Sequence, residues 1–238
     1  MSATVIIARR RRAGGAAPFA PTDIAGLQLW FAADSIGGLA DGDPVSTWPD
    51  DSGNARDATQ AGAARPTYKT AILNSLPIVR FASASSQRMT FTGPTGFTAI
   101  SIFIVFKRAA TGADHTLLSL GKTLIRVDQS ANGEFEWWPD TDSTVIDTLD
   151  CQNTNWHIGA VLQSSTNYEA RLDLSAQTGT TVAVDAADRT DAIGSFEGGT
   201  TWPMDGDIAE IIVYDSDLSD TDRDLVEGYL NTKWGLGL

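Results

Sequence analysis

The end of the chain most strongly constrains what this sequence can fold into. Residues Ile208–Tyr214 are apolar at both odd and even positions, which predicts an inner strand covered on both faces. Ser219 and Asp222 then have the spacing of a helix N-terminal cap, and Gly235 predicts the end of that helix. The residues between Ser219 and Gly235 place their apolar side chains on one helix face, so we expect a short helix, about residues 219–233, packed on a sheet. Its apolar positions are Leu225, Val226, Tyr229 and Leu230.

Strand-like segments occupy most of the remaining chain. Ile100–Phe106 is apolar on both faces, as expected for a central strand, whereas Tyr168–Leu174 alternates charged and apolar residues, as expected where one face is wet. Long connections separate several segments, which favours a Greek-key sandwich over a simple meander. The predicted strands are Leu27–Ala33, Val45–Trp48, Ile78–Ala82, Arg88–Thr92, Ala99–Arg108, Thr116–Leu120, Thr123–Asp128, Glu134–Trp138, Thr144–Thr148, Trp156–Gln163, Tyr168–Leu174, Thr180–Asp185 and Gly206–Tyr214.

Length and composition agree with one large all-β domain. The chain has 238 residues, 20% of them charged, and its 22 glycines suit many short strands joined by tight turns. No apolar run approaches the roughly 18 residues that a membrane span requires, so no membrane partner is predicted. Cys151 is the single cysteine and cannot form an intrachain disulfide. We expect folding in a reducing compartment, or a core large enough to need no disulfide.

The first 22 residues differ from the rest in charge. They contain four arginines and no acid, which leaves 13 basic against 30 acidic residues in the remainder, a net charge of −17. Such an acidic body repels nucleic acid and anionic membranes. A loose terminus is one interpretation of this segment. The other is an extended assembly arm that adds to the sheet edge of a neighbouring chain. Its assembly residues are Val5, Ile6, Ile7, Arg9, Arg10, Arg11 and Arg12.

Several motifs together resemble one fold family. Trp30–Asp34, Trp48–Asn54, Leu76–Phe81 and the terminal strand and helix are similar to the concanavalin A-like, laminin-G-like jelly-roll domains of phage virion and bacterial surface proteins. The resemblance implies an all-β, antiparallel two-sheet jelly-roll sandwich over residues 23–238, with one short C-terminal helix after the arm of residues 1–22. It also implies packing roles for Trp30, Trp156, Trp234 and His157.

Jelly-roll lectins stack sugar rings on exposed aromatic side chains, so the resemblance implies a glycan site. The aromatic candidates are Trp137, Trp138 and Trp202, with Trp48 and Tyr68 as weaker ones, and the polar partners are Asp140 and Asp205. Adjacent residues of a strand point to opposite faces, so one of Trp137 and Trp138 should lie in the core. For any single tryptophan, a role in filling the sandwich is the competing interpretation.

A calcium ion is a second implication of the resemblance. The rim loop with Asp50, Asp51 and Asn54 is rich in oxygen ligands, and Ca²⁺ takes six to eight of them. However, Asx turns explain the same residues without a metal, because Asp and Asn bond their own backbone. We favour the turn, with no cofactor, and keep calcium as the alternative.

Catalysis has little support in the sequence. Retaining glycosidases need two carboxylates about 5–5.5 Å apart, and the comparable pair here is Glu134 and Glu136. Two acids on a wet strand face explain that pair more simply. The sequence has no phosphate-binding loop and no zinc spacing, so we predict that the protein is not an enzyme.

The leading hypothesis from the sequence is a phage virion protein: a head decoration, minor capsid or tail-associated component. Its arm would anchor it to other virion proteins and to copies of itself, and its lectin-like domain would bind host-surface polysaccharide after assembly in the host cytoplasm. The alternative is a bacterial carbohydrate-binding or adhesion module of an extracellular protein. A coat protein with its arm on RNA and an enzyme are the weaker hypotheses.

Overall fold

The computed structural model describes residues 18–96, 98–111, 113–127, 133–140, 144–165, 167–180 and 190–238. These residues form strands joined by short loops and, near the C-terminus, the helix α1 (Asp220–Trp234). The strands are β1 (Leu27–Ala32), β2 (Thr47–Trp48), β3 (Ala58–Thr59), β4 (Thr67–Leu73), β5 (Leu76–Phe81), β6 (Met89–Phe91), β7 (Ile100–Arg108), β8 (His115–Leu120), β9 (Thr123–Val127), β10 (Glu134–Asp140), β11 (Thr144–Asp150), β12 (Trp156–Gln163), β13 (Asn167–Leu172), β14 (Ser175–Thr180), β15 (Asp191–Ile193) and β16 (Gly206–Tyr214).

The strands form two antiparallel sheets. The first has the order β14-β13-β12-β7-β16-β5-β4, and β1 pairs with the end of β16 that lies beyond β5. The second has the order β11-β10-β9-β8-β15-β6-β3-β2. Hairpins such as β12-β13-β14 and β8-β9-β10-β11 lie at one end of each sheet, and the central neighbours, such as β7-β16 and β8-β15, are far apart in sequence, as in a jelly roll. The predicted two-sheet antiparallel sandwich is therefore confirmed for the part of the chain that the structure describes.

The hydrophobic core lies between the sheets. The two strands predicted to be central, β7 and β16, are neighbours in the first sheet and are buried along almost their whole length. Across the core, the rings of Phe106 and Phe135 stack with centroids 6.0 Å apart. Trp137 Nε1 of β10 donates a hydrogen bond to Gln163 Oε1 of β12 at 3.1 Å. These contacts join the two sheets through both packing and a satisfied polar pair.

The helix α1 has the caps that the sequence predicts. Ser219 is the N-cap, and its Oγ accepts a hydrogen bond from the Asp222 amide at 3.2 Å. Gly235 ends the helix at φ 64°, a left-handed conformation that glycine adopts readily. Val226 and Leu230 are fully buried, as expected, and the helix packs on β7 and β12. The helix thus covers the outer face of the first sheet.

A buried carboxylate ties the helix to the sheet. Glu210 of β16 is fully buried and accepts four hydrogen bonds: from Trp30 Nε1 (2.6 Å), Tyr229 Oη (2.9 Å), Trp234 Nε1 (2.7 Å) and Lys233 Nζ (2.9 Å). Burial raises the pKa of Glu210 above its ordinary value, and the ammonium of Lys233 opposes that shift. Because three of the four donors come from α1, this carboxylate fixes the helix in place.

The strand at the edge of the first sheet differs from its prediction. We expected a strand at Thr180–Asp185, but β14 is Ser175–Thr180, and residues 181–189 lie outside the described part. The hairpin from β13 turns through Asp173 and Leu174, both with positive φ (50° and 67°). Such two-residue turns usually carry Asn-Gly or Asp-Gly. Because Leu174 is not a typical turn residue, the sequence does not predict this turn.

The tryptophans assigned to packing are buried to different degrees. Trp234 is fully buried, whereas Trp30 and Trp156 are half-buried at the margin of the core. Trp48 and Tyr68, the weaker glycan candidates, lie inside the core and offer no surface ring. Among the described residues, no helix is both long and apolar enough to cross a membrane.

Candidate functional site

Two of the predicted glycan-binding residues, Trp138 and Trp202, meet at one surface. Their ring centroids are 6.0 Å apart, and the ring planes are tilted by 55°. Trp138 belongs to β10, and Trp202 belongs to the loop that leads into β16. Both side chains are half-buried. The fold therefore builds a paired aromatic surface from residues distant in sequence.

Strand alternation decides which of the adjacent tryptophans reaches this surface. Phe135 and Trp137 point into the core, so Glu136 and Trp138 point to the outer face of the second sheet. Trp137 is fully buried, which confirms that one of the pair is a core residue. As a glycan contact, however, Trp137 is wrong, because its ring has no exposed face.

The loop before β16 holds Trp202 in an unusual conformation. Trp202 has φ 46°, in the left-handed region that bulky residues rarely adopt. The amide of Thr116 on β8 donates a hydrogen bond to the Trp202 carbonyl at 2.9 Å. The ring of Phe196 lies 5.2 Å from that of Trp202. These contacts hold a strained backbone and so aim the indole at Trp138.

Arg126 contacts both indole rings. Its guanidinium carbon is 4.5 Å from the ring centroid of Trp202 and 5.0 Å from that of Trp138. Arg126 of β9 is directly opposite Glu136 of β10 in the sheet register. Its Nε donates a hydrogen bond to Glu136 Oε2, and its Nη1 is 3.3 Å from Asp114 Oδ2. We call Arg126, Glu136, Asp114, Trp138 and Trp202 the indole–guanidinium cluster.

Glu136 joins the cluster by two interactions. Besides the guanidinium, its Oε2 accepts a hydrogen bond from Trp138 Nε1 at 3.0 Å. Glu136 is only 2% exposed, so the interpretation of Glu134 and Glu136 as two acids on a wet face is wrong for Glu136. The ion pair with Arg126 explains how this carboxylate tolerates burial. Both acids of the cluster are thus bound to one guanidinium, the arrangement of a rigid ion-pair network.

Of the two predicted polar partners, Asp205 stands apart from this cluster. The side chain of Asp140 lies outside the described part, although its backbone pairs with Thr144. Asp205 Oδ1 accepts a hydrogen bond from the Ser83 amide at 3.4 Å, and its own amide is 3.2 Å from His115 Nδ1. The carboxylates that accompany the rings are Glu136 and Asp114 instead. The sequence signal for Glu136 was its i, i+2 spacing to Trp138, which places both on one strand face.

The predicted calcium residues act as a turn. The two oxygens of Asp50 accept four hydrogen bonds, from the amides of Trp30, Ser52 and Arg56 and from the Ser52 hydroxyl, at 2.8–3.1 Å. Asn54 turns its amide nitrogen, a donor, towards the carbonyl of Leu27 at 3.0 Å. This set does not fit a calcium ion, whose ligands are oxygens free to face it.

Asp51, the third predicted ligand, is partly buried beside two other acids. Burial raises its pKa, and the neighbouring Asp34 and Asp50 add to that shift. Across the ranges that the structure describes, no group of three His, Cys, Asp or Glu residues is placed to hold a metal ion.

The arm residues Val5–Ile7 and Arg9–Arg12 lie outside the described residues. The described chain begins at Pro18, and its first residues already contact the sandwich. The ring of Phe19 lies 6.0 Å from that of Tyr229, and the hydroxyl of Tyr214 donates a hydrogen bond to the Pro21 carbonyl at 2.9 Å. Packing against the body thus begins a few residues before Asp23.

The two histidines and the cysteine are buried within the fold. His157 is buried between Asp173 (2.7 Å) and Asn153 (2.9 Å), consistent with the packing role expected for it. Burial lowers the pKa of His115 and raises that of Cys151 to about 12. None of the three contributes to the indole–guanidinium cluster.

Taken together, two facing antiparallel sheets, connections between distant strands and a covering helix define a jelly-roll β-sandwich. Solved structures with this fold include the binding domain of botulinum neurotoxin DC in complex with SialylT, with a TM-score of 0.60 and 10% identity. That match covers 89% of this chain and 52% of the toxin domain, so the chain spans about half of that structure.

Two further structures share the fold. Domain 4 of AbnA, an extracellular arabinanase from Geobacillus stearothermophilus in complex with arabinotriose, has a TM-score of 0.60 and 16% identity, over 84% of this chain and 97% of that one. The sialidase of Trypanosoma rangeli has a TM-score of 0.52 and 13% identity, over 88% of this chain and 33% of that one. The sequence matches no protein-family model and no curated protein. At these identities the likeness concerns the fold.

Proposed function

We propose that this protein is a carbohydrate-binding domain and that the indole–guanidinium cluster is its glycan site. The observation that carries the proposal is the meeting of Trp138 and Trp202, 6.0 Å apart on the outer face of the second sheet. Indole faces attract the C–H faces of sugar rings, and a carboxylate that a ligand can reach, such as that of Asp114, accepts hydrogen bonds from hydroxyl groups. Rings already held in place lose little entropy when a ligand binds.

The comparisons support this proposal over the virion role. Two of the structures named above were solved with carbohydrate-related ligands, SialylT and arabinotriose, and neither is a virion protein. The virion hypothesis depends on the arm of residues 1–22, most of which lies outside the described part, and it stays a prediction. We therefore favour the alternative from the sequence, a carbohydrate-binding or adhesion module that acts outside the cell without catalysis of its own.

The experiment uses the full chain on a glycan array, followed by calorimetric titration of any glycan it retains. Trp202→Ala removes one ring of the pair and should weaken binding at least tenfold, which corresponds to about 1.4 kcal/mol. Trp138→Phe keeps an aromatic ring but removes the indole N–H that Glu136 accepts, and should weaken binding less.

Trp156→Ala is the matched control, because Trp156 is also half-buried but lies at the start of β12. It should leave glycan affinity unchanged. Thermal unfolding of each variant separates lost binding from lost folding. If Trp202→Ala retains full affinity, the assigned site is wrong.

A further inference from the structure

The positive charge beside the two indole rings is already balanced by carboxylates. Arg126 is held by Glu136 through Nε and by Asp114 through Nη1, and their side chains are only 2% and 17% exposed. One guanidinium against two carboxylates leaves the indole–guanidinium cluster with one net negative charge. The guanidinium carbon also lies within 5.0 Å of the ring centroids of both Trp138 and Trp202. The arginine is therefore held in the site by two carboxylates and by contacts with both indole rings.

This arrangement opposes an acidic ligand. Proteins bind a sugar carboxylate or sulfate best through a guanidinium that can turn two parallel N–H groups towards it. Here such a ligand would compete with Glu136 and Asp114 for the same guanidinium and would be repelled by both. The rest of the chain adds to this repulsion, since residues 23–238 carry a net charge of −17.

A ligand without charge avoids these costs. Its hydroxyl groups can donate hydrogen bonds to the partly exposed carboxylate of Asp114, and its ring faces can lie on the indoles. We infer that the cluster binds neutral glycans and discriminates against glycans that carry carboxylate, sulfate or phosphate groups. This inference rests on the proposed function and adds the class of ligand to it.

The test compares matched glycans that differ in one acidic group. The full chain is titrated with lactose and sialyllactose conjugates, and with galacturonic acid oligomers in methyl-esterified (neutral) and free-acid form. The neutral member of each pair should bind at least tenfold more tightly in 0.05 M NaCl. In 0.5 M NaCl the difference should narrow, because salt screens the repulsion but leaves stacking largely unchanged. A preference for the acidic member, or one that salt leaves unaltered, would overturn the inference.

Asp114→Asn tests the charge balance directly. It removes one of the two carboxylates on Arg126, so the ratio of acidic to neutral binding should rise at least threefold, even if neutral binding itself weakens. Asp220→Asn is the matched control, because it makes the same change at an 87% exposed side chain on α1, bound to Arg223. If the ratio of acidic to neutral binding is the same in Asp114→Asn and Asp220→Asn, the ion pairs of Arg126 do not set the specificity.

The outcomes separate this inference from the proposed function. Binding that depends on Trp202 but favours acidic glycans retains the site and rejects the neutral class. Failure to bind any neutral or acidic glycan, or binding that survives Trp202→Ala, rejects both. Should Asp114→Asn unfold, the salt series on the unaltered chain decides the question.

Discussion

Glu210 offers the sharpest test of how this sandwich is held together. Its two carboxylate oxygens each accept two hydrogen bonds: Trp30 and Tyr229 bind Oε1, and Trp234 and Lys233 bind Oε2. Glu210→Gln keeps the shape but turns one acceptor oxygen into an NH2 donor. Two of the four donors then face another donor, and the partner charge of Lys233 is gone.

The expected loss follows from these contacts. A hydrogen bond to a charged group contributes about 1.5–3 kcal/mol, so two of them amount to about 3–6 kcal/mol. Lys233 retains an ion pair with Asp34 at 2.8 Å, which places the expected loss near the lower end, about 3 kcal/mol. For a domain of this size that change lowers the melting temperature by about 6–12 °C.

The measurement is urea unfolding followed by both far-ultraviolet circular dichroism and tryptophan fluorescence. Glu169→Gln is the matched control, because Glu169 lies in a more accessible ion-pair network with Arg171 and Arg223. It should cost no more than about 1 kcal/mol. If Glu210→Gln is as stable as Glu169→Gln, the buried carboxylate does not anchor α1.

Two further sites give predictions of different sign. Gly159→Ala would place a methyl group 2.5 Å from the Phe135 ring and should destabilise the fold by about 1–3 kcal/mol. The methyl group of Gly228→Ala meets no atom outside its own helix within 4 Å, so this change should stabilise α1 by about 0.5–1 kcal/mol. The denaturant midpoint of each variant tests the sign of the change in stability. Cys151 should resist iodoacetamide until the chain unfolds. Because its pKa rises from the ordinary 9.0 to about 12, only the unfolded thiol loses its proton above pH 9. The free energy of unfolding should therefore fall relative to Cys151→Ala as the pH rises through that window, by at most about 1.4 kcal/mol per pH unit; equal pH profiles would contradict this.

Local signals explain which parts of the fold the sequence could predict. The cap at Ser219 and the glycine at Gly235 are short-range features, and the helix begins and ends where they place it. By contrast, β14 is polar and exposed, and its position depends on a turn with Leu174 at positive φ. Neither hydrophobic periodicity nor turn composition marks such a strand.

The candidate site was predicted in part, for a similar reason. Side chains alternate along β10, so Trp138 lies on the outer face and Trp137 in the core, and the sequence pattern predicts that the two differ in this way. The contact between Trp138 and Trp202 depends on the fold, because a loop of distant sequence must cross β8 to form it. The position of Arg126 opposite Glu136 depends on strand register, which single-sequence patterns do not determine.

Two sites in this chain combine a carboxylate, an indole N–H and a cationic side chain, and they differ in how deeply the indole is buried. At Glu210 an indole N–H of Trp234 binds a carboxylate, and the ammonium of Lys233 lies 5.1 Å from that ring. At Glu136 the indole N–H of Trp138 binds a carboxylate, and a guanidinium lies 5.0 Å from the ring. Trp234 is fully buried beneath its helix, so its interactions stabilise the fold.

Trp138 is half-buried on the opposite face of the sandwich, next to a second half-buried indole. An ion-pair network that only stabilised the fold would gain nothing from leaving two large aromatic rings partly in water, because each exposed ring forgoes hydrophobic stabilisation. A strained backbone at Trp202 adds a further cost to the same place. A ligand that covers the rings would offset both costs, and this is the physical reason for proposing the glycan site there.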